Sequence, residues 1–175
     1  MKQFHVTIEE MWGRVSGVSE VMHVAVALET EGFRAYLVGG CLRDLLMGRE
    51  PDDWDIATNA TPEEIQHIFP DNVYENNFGT VGIKTDSEDS RLKIIEITTF
   101  RLEGKYTDKR HPDEVRFAKT IEEDLARRDF TINALALRLG EDSHELVDPF
   151  YGVRDIELGL IKAVGDPQIR FNEDA

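Results

Sequence analysis

Two aspartates stand one residue apart in an apolar stretch, Asp53 and Asp55 in DDWDIAT. Asp is a poor strand former, yet its neighbours here predict a strand. In a strand, residues i and i+2 point to the same face about 7 Å apart, so both carboxylates share one face. At ~4 Å two carboxylates repel by roughly 4 kcal/mol at an effective dielectric of 20. The spacing therefore predicts either a divalent metal site, suited to Mg²⁺, or an exposed edge strand with solvated aspartates.

A glycine pair, an arginine and a third carboxylate add to this pattern. Gly39 and Gly40 follow an apolar strand and precede a helix, where backbone N–H groups favour an anion, although a glycine pair also fits a simple tight turn. Arg43 follows one turn into that helix and adds positive charge. Glu96 stands mid-strand in KIIEITTF, which is costly unless the carboxylate is paired or metal-bound. A phosphate cradle with three carboxylates on two strands is what two-metal phosphoryl transfer needs.

The surrounding sequence predicts the elements that must position these residues. Helical spacing predicts a helix over residues 19–31 that ends at Gly32, and a capping box predicts a short helix in TPEEIQHIFP. Strands are predicted in RAYLVGG, DDWDIAT, GTVGIKT and RLKIIEITTF, and a helix in CLRDLLMG. Residues 101–114 are predicted to form a loop, and IEEDLARRDFTINALALRLG a helix broken near Asp129. LVDPFYGVRDIELGLIKAV predicts strand, turn, short helix and strand, and Asp166-Pro167 begins a new helix.

The order of the motifs resembles a known superfamily. Gly39-Gly40, twelve intervening residues and Asp53-x-Asp55 resemble the signature of polymerase-β-like nucleotidyltransferases. YLVGGCLRDLLMGREPDDWDIATNATPEEIQHIFP is similar, more narrowly, to the head of class II tRNA nucleotidyltransferases (CCA-adding enzymes) and bacterial poly(A) polymerases. EITTFR, EEDLARRDFTINALAL and DPFYGVRDIELGLIKAVGDPQIRFNEDA continue the resemblance over residues 34–175. It implies an α+β head domain, with a mixed, mostly antiparallel sheet, helices on one face and the active site on the open side.

The resemblance also implies roles for individual residues. Asp53 and Asp55 match the family's pair of ligands for two Mg²⁺ ions, and Glu96 matches its third carboxylate. The glycine pair, Gly39 and Gly40, together with Arg43, matches the segment that touches the nucleotide phosphates.

A second group of implied residues concerns the incoming nucleotide. Arg128 and Asp129 in RRDFTINAL match a motif that contacts the nucleotide and its ribose, although the same residues by themselves fit an amphipathic helix with a charged start. Asn133 is expected to brace that turn. Glu173 and Asp174 match the opening of a motif that reads the Watson–Crick edge of CTP or ATP with an Asp acceptor and an Arg donor. The sequence stops before that Arg.

The domain organisation follows from the same match. We expect a catalytic head over residues 1–165 and the beginning of a truncated helical neck over residues 166–175, with tRNA held mostly by domains missing from this chain. The stretch from Phe100 to Phe117 resembles an unshortened CCA-type loop, which favours addition of CCA or A over CC and leaves the choice between CCA and A alone open. Its basic residues contact nucleotide or RNA phosphates or are simply solvated; they are Arg101, Lys105, Lys109, Arg110 and His111.

Composition limits the possible partners. The 175 residues carry a formal net charge of -15, which is unusual for a chain that grips nucleic acid by itself. There is one cysteine and no apolar run long enough to cross a membrane, so we expect a cytoplasmic protein without a membrane partner. The expected reaction transfers a nucleotidyl group from CTP or ATP to a tRNA 3′ hydroxyl. The alternatives are a poly(A) polymerase that uses ATP alone and a non-catalytic nucleotide-binding module.

Overall fold

The computed structural model describes residues 15, 17–75, 79–102, 106–108, 111–112, 116–140 and 145–173. Their helices are α1 (Val18–Thr30), α2 (Gly39–Leu46), α3 (Pro62–Ile68), α4 (Ile121–Ala126), α5 (Gly152–Leu158) and α6 (Pro167–Glu173), with a 3₁₀ turn at Thr131–Asn133. Their strands are β1 (Ala35–Val38), β2 (Asp55–Thr58), β3 (Asn72–Glu75), β4 (Thr80–Lys84), β5 (Ile94–Thr99), β6 (Arg101–Leu102), β7 (Tyr106–Asp108), β8 (His111–Pro112), β9 (Arg116–Phe117), β10 (Ala136–Arg138) and β11 (Leu146–Val147).

Seven of these strands form one sheet in the order β11-β10-β1-β2-β5-β4-β3. All neighbours are antiparallel except β2 and β5, which run parallel. The mixed, mostly antiparallel sheet expected from the resemblance is confirmed. Because β1 and β2 are antiparallel, the end of β1 lies beside the start of β2, so Gly39 comes close to Asp55.

The two faces of the sheet are covered differently. One face carries the larger core, in which α1, α2 and α3 pack over Leu37, Ile56 and Ile97, and Trp54 is buried there at 2% exposure. On the other face a smaller cluster with α4 covers β1, β10 and part of β2, through buried residues that include Tyr36 and Leu125. The expectation of helices on one face alone is therefore wrong, because α4 packs on the second face; among the described residues the open side lies at the end of the sheet formed by β5, β4 and β3.

Two short helices begin as the sequence predicts. In α3 the Thr61 hydroxyl accepts a hydrogen bond from the Glu64 backbone N–H (3.3 Å), and the Glu64 carboxylate accepts one from the Thr61 N–H (2.8 Å). Helix α6 begins after Asp166, whose carboxylate accepts from the Gln168 N–H (2.9 Å). These side chains satisfy backbone donors that have no partner within the helix.

Two element boundaries near the glycine pair and the aspartates differ from the prediction. The strand predicted over DDWDIAT begins only at Asp55, and Asp53 lies in the bend before it. Proline and aspartates favour turns over strand pairing, which explains the later start. Helix α2 begins at Gly39 rather than after the glycine pair.

The long helix predicted over IEEDLARRDFTINALALRLG is wrong in its second half. Helix α4 ends at Ala126, the 3₁₀ turn follows, and residues 136–138 form β10 between β1 and β11. A short apolar run fits a buried strand as well as a buried helix, and here the free edge of β1 decided it.

Short strands also occupy places where none was predicted. The loop over 101–114 contains β6, which pairs with β9, and the β7–β8 pair, while β3 was not predicted at all. The strand predicted at the end of GLIKAV is a single bridge between Phe130 and Ala163. Among the described residues, no helix has the length and apolar character that a membrane crossing requires.

Candidate active site

Gly39 lies where three predicted site residues meet. Its φ angle is +72°, a region that favours glycine, and a Cβ built on it would stand 3.0 Å from the Arg128 Nη1 and 3.6 Å from the Asp55 Oδ2. A side chain here would therefore intrude between a guanidinium and a carboxylate. The fold brings together Gly39, Asp55 and Arg128, which are far apart in sequence.

The three predicted carboxylates face one another. Asp55 and Glu96 are Cα partners on the parallel strands β2 and β5, so their side chains share a face of the sheet. The pKa of Asp55 is raised to about 6, first by burial and then by the negative charges of Asp53 and Glu96, against the opposing effect of Arg128. The cluster therefore holds more negative charge than its surroundings offset.

This excess of negative charge suits a hard cation. Within the described part of the chain, no three His, Cys, Asp or Glu side chains are placed so that they could hold a metal ion together. Mg²⁺ commonly takes one or two protein carboxylates and completes its shell with water and substrate phosphate oxygens. Carboxylates at Asp53, Asp55 and Glu96 fit that mode, and their assignment as metal ligands stays a prediction.

Arg43 is held beside the glycine pair from two directions. Its Nε and Nη2 donate to the Asp44 carboxylate (3.0 and 3.1 Å), and its Nη1 donates to the Asn133 Oδ1 (2.9 Å). A Cβ built on Gly40 would lie 3.5 Å from the Arg43 Nη2. The guanidinium therefore lies over the Gly40 backbone, and its pKa is raised, mainly by the hydrogen bond to Asp44.

Asn133 joins Arg43 to the second predicted nucleotide motif. Its amide Nδ2 donates to the Asp129 Oδ1 (3.2 Å), which also accepts from the Phe130 N–H (2.7 Å). Asn133 thus braces the turn, as predicted, and its bond to Arg43, 90 residues away in sequence, links Arg43 to Asp129.

Asp124, which was not predicted from the sequence, orients Arg128. The Asp124 side chain is 1% exposed and accepts from Arg127 (2.8 Å) and Arg128 (3.2 Å), and from the Arg101 backbone N–H (3.0 Å). Burial alone would raise the pKa of Asp124, but the two guanidiniums and the N–H outweigh it and lower the pKa. The signal was an acid three and four residues before two arginines on one helix.

Helix α6 is bonded to the turn that carries Arg128 and Asp129. The Arg170 guanidinium donates to the carbonyl oxygens of Ala126 (2.8 Å) and Val164 (3.1 Å), and the Val164 N–H donates to the Asp129 carbonyl (2.9 Å). The structure therefore connects the start of the C-terminal helix with the nucleotide motif.

Some predicted residues fall outside the described residues. These are Asp174, the side chain of Glu173, the loop residues Lys105, Lys109 and Arg110, and the side chain of His111.

A family model for the poly(A) polymerase head domain matches residues 35–162. The chain belongs to this family. Its match includes the glycine pair, the three carboxylates and the Arg128–Asp129 turn, and the family's polymerase-β-like head fold is the fold described above.

Curated relatives in the family are CCA-adding enzymes. The enzyme of Lactobacillus helveticus is 48% identical over 158 residues, which are 89% of this chain and 37% of that protein. The enzyme of Listeria monocytogenes is 46% identical over 158 residues, which are 89% of this chain and 38% of that protein. The family member described here thus spans little more than a third of the length of these relatives.

Solved structures show the same similarity. The Bacillus stearothermophilus CCA-adding enzyme in complex with CTP matches with a TM-score of 0.74 and 38% identity, over 89% of this chain and 35% of that one. The Thermotoga maritima CCA-adding enzyme in complex with tRNA matches with a TM-score of 0.67 and 27% identity, over 89% and 35%.

Proposed function

We propose that this chain is the catalytic head of a tRNA nucleotidyltransferase. It adds C, A or both to the tRNA 3′ end from CTP and ATP, and pyrophosphate is released. The proposed place of this reaction is the cytoplasm, and the chain's partners are nucleotides and tRNA. The similarity to CCA-adding enzymes, including structures with CTP and with tRNA, supports the substrates.

One observation carries the proposal. Asp55 and Glu96 are register partners on adjacent strands, with Asp53 in the bend before Asp55, and the cluster meets Gly39 and Arg128 at its edge. Carboxylates for cations thus adjoin a backbone and a guanidinium for phosphates. Nucleotidyl transfer from a triphosphate needs both.

The chain's own residues divide the work. The backbone at Gly39 and Gly40 leaves room for the triphosphate, and Arg43 and Arg128 supply positive charge on either side of it. Asp129 is held by the Phe130 N–H and by Asn133, so its carboxylate is oriented before the nucleotide arrives.

Two Mg²⁺ ions would be held by Asp53, Asp55 and Glu96. When bound, they lower the pKa of the attacking hydroxyl and stabilise the leaving oxygen. A non-catalytic module would have little reason to retain a carboxylate whose pKa is raised by burial and by two like charges, because that group costs stability.

The domain boundaries remain part of the proposal. We infer a head over residues 1–165 and the beginning of a helical neck over 166–175. Helix α6 begins at Pro167, which supports a boundary just before this residue. The Arg170 side chain of this helix donates a hydrogen bond to the Ala126 carbonyl of the head. Reading of the base by Asp174 is proposed from the resemblance alone.

The test is nucleotide incorporation into tRNA that lacks its 3′ end, with CTP and ATP supplied separately and together. We expect Asp55→Asn to lower turnover by about 10³-fold, because a group that stabilises transition-state charge is worth this much. Asp52→Asn, an exposed acid in the same bend, is the control and is expected to keep wild-type turnover.

The outcomes separate the alternatives. Incorporation of ATP alone into any RNA 3′ end would indicate a poly(A) polymerase. Metal-dependent nucleotide binding without incorporation, unchanged by Asp55→Asn, would indicate a binding module and contradict the proposal.

A further inference from the structure

A single cross-strand row crosses the sheet through the carboxylates. Asp55, Glu96, Gly82 and Val73 are successive register partners on β2, β5, β4 and β3. Register partners on neighbouring strands point to the same face, and the strands lie about 4.8 Å apart. The row therefore extends roughly 14 Å from Asp55, away from the glycine pair.

The far half of this row is apolar and exposed. Val73 is 45% exposed, and Ile94, two residues before Glu96 on the same face, is 48% exposed. Gly82 lies between them, and a Cβ built on it would stand 3.0 Å from the Ile94 Cγ2. The φ angle at position 82 does not require glycine, so the missing side chain instead leaves room for the Ile94 side chain beside the Gly82 backbone.

The direction of nucleotidyl transfer indicates which substrate lies over this half of the row. The groups that suit the triphosphate, at Gly39, Arg43 and Arg128, lie on the β1 side of the carboxylates. In phosphoryl transfer the attacking and leaving oxygens are roughly in line on opposite sides of the phosphorus. With pyrophosphate leaving toward β1, the attacking 3′ hydroxyl approaches over β4 and β3.

We propose that Val73, Gly82 and Ile94 form an acceptor platform, on which the sugar and base of the 3′-terminal nucleotide of the RNA acceptor rest. This inference depends on the proposed function, and it adds where the RNA acceptor, the second substrate, lies in the same site.

The chemistry of the platform fits a nucleoside of any sequence. Every base has a flat apolar face, and contact with that face does not discriminate between bases. An acceptor whose terminal base changes after each addition requires such tolerance. Lys84, on the same face of β4, adds a positive charge at the edge, and its exposed ion pair with Asp71 (3.0 Å) is of a kind that contributes little stability.

The experiment compares a double asparagine variant of the platform with a single asparagine variant elsewhere, both in the full protein. Val73→Asn with Ile94→Asn removes the apolar platform, and Leu146→Asn places the same substitution at an exposed leucine on β11, at the opposite edge of the sheet. The measurements are the KM for tRNA lacking its 3′ end at saturating nucleotide, the Kd of the nucleotide without RNA, and the melting temperature.

We expect the platform variant to raise the KM for the acceptor about fivefold or more, because two aliphatic side chains lose their apolar contact with the nucleoside. Its nucleotide Kd should match that of the wild type and of Leu146→Asn. If the platform variant has a lower melting temperature than the wild type, Gly82→Ala makes the same test. Its added methyl group displaces the Ile94 side chain without exposing core residues.

Each result decides a separate claim. Wild-type activity with an unchanged acceptor KM in both platform variants would overturn the platform and leave the proposed function standing. An equal loss of nucleotide affinity would also overturn it. A wild type that transfers no nucleotide would overturn the proposed function, and the platform with it.

Discussion

Two carboxylates that interact with Arg128 have opposite surroundings. Asp124, at the end of α4, accepts hydrogen bonds from Arg127, Arg128 and a backbone N–H and is 1% exposed. Asp55, at the start of β2, faces Asp53 and Glu96 and is only partly offset by Arg128. The pKa of Asp124 is lowered despite burial, whereas burial and like charges raise that of Asp55 to about 6.

We propose that this difference separates a structural carboxylate, Asp124, from a functional one, Asp55. The folded protein supplies all the positive charge that Asp124 needs, so Asp124 fixes the position of Arg128. Arg128 offsets the negative charge around Asp55 only in part, which suits the proposed role of Asp55 as a ligand of a cation. Perturbed pKa values of the second kind are typical of active sites.

The largest expected effect on stability concerns Asp124, the structural carboxylate. Asp124→Asn should lower the free energy of unfolding at pH 7 by about 3–5 kcal/mol, because it leaves two mostly buried guanidiniums without their counter-charge. Chemical denaturation measures this. Glu122→Gln, an exposed acid on the same helix, is the control and should change stability little.

The pH dependence of stability checks whether the negative charge of Asp124 is what stabilises the fold. Its folded pKa is lowered, so its stabilisation is complete above the unfolded value of 3.8 and is lost as the pH falls through the folded value. The difference between wild type and Asp124→Asn should therefore shrink below about pH 3.8. A constant difference across this range would show that the charge is not what stabilises α4.

The second prediction concerns Asp55, where the same kind of substitution should raise stability instead of lowering it. Its folded pKa is raised from 3.8 to about 6, so ionisation destabilises the fold as the pH rises through that interval. In metal-free buffer well above pH 6, Asp55→Asn should be more stable than the wild type by about 3 kcal/mol, and the two should agree below pH 3.8. Thermal unfolding with a chelator tests this.

Magnesium should reverse that order. Cation binding to the ionised cluster stabilises the wild type and has little effect on Asp55→Asn, because a ligand stabilises the state that binds it. A variant that loses stability in metal-free buffer would mean that Asp55 is a structural carboxylate like Asp124.

The smallest effect concerns the polar connection between the two nucleotide motifs. Asn133→Ala removes hydrogen bonds to Arg43 and Asp129, each worth about 1 kcal/mol. We expect the KM for nucleotide to rise about fivefold to tenfold with a smaller change in turnover. Steady-state kinetics measure this, and equal changes in both parameters would contradict a role in positioning the bound nucleotide.

The candidate site was predictable where its signals are local or follow strand alternation. The glycine pair, the aspartates and Glu96 each break a local propensity rule, and such conflicts mark functional positions. Their grouping in one site was predicted from the residue types and the resemblance, but the β2–β5 register that brings Asp55 and Glu96 together was not. Asp124 was missed because an acid before two arginines is common on helix surfaces, and nothing local indicates that this one is buried.

Local chemistry in the sequence determined the capped helices, the strongly β-branched strand β5 and the residue types of the site, because caps, alternation and charge act over a few residues. Only the tertiary structure decided that residues 136–138 form a strand, that Arg128 reaches Asp55, and that Gly82 and Val73 continue the row of carboxylates. Each of these depends on pairing between segments distant in the chain, and the free energy of such pairing comes from partners that no local pattern contains.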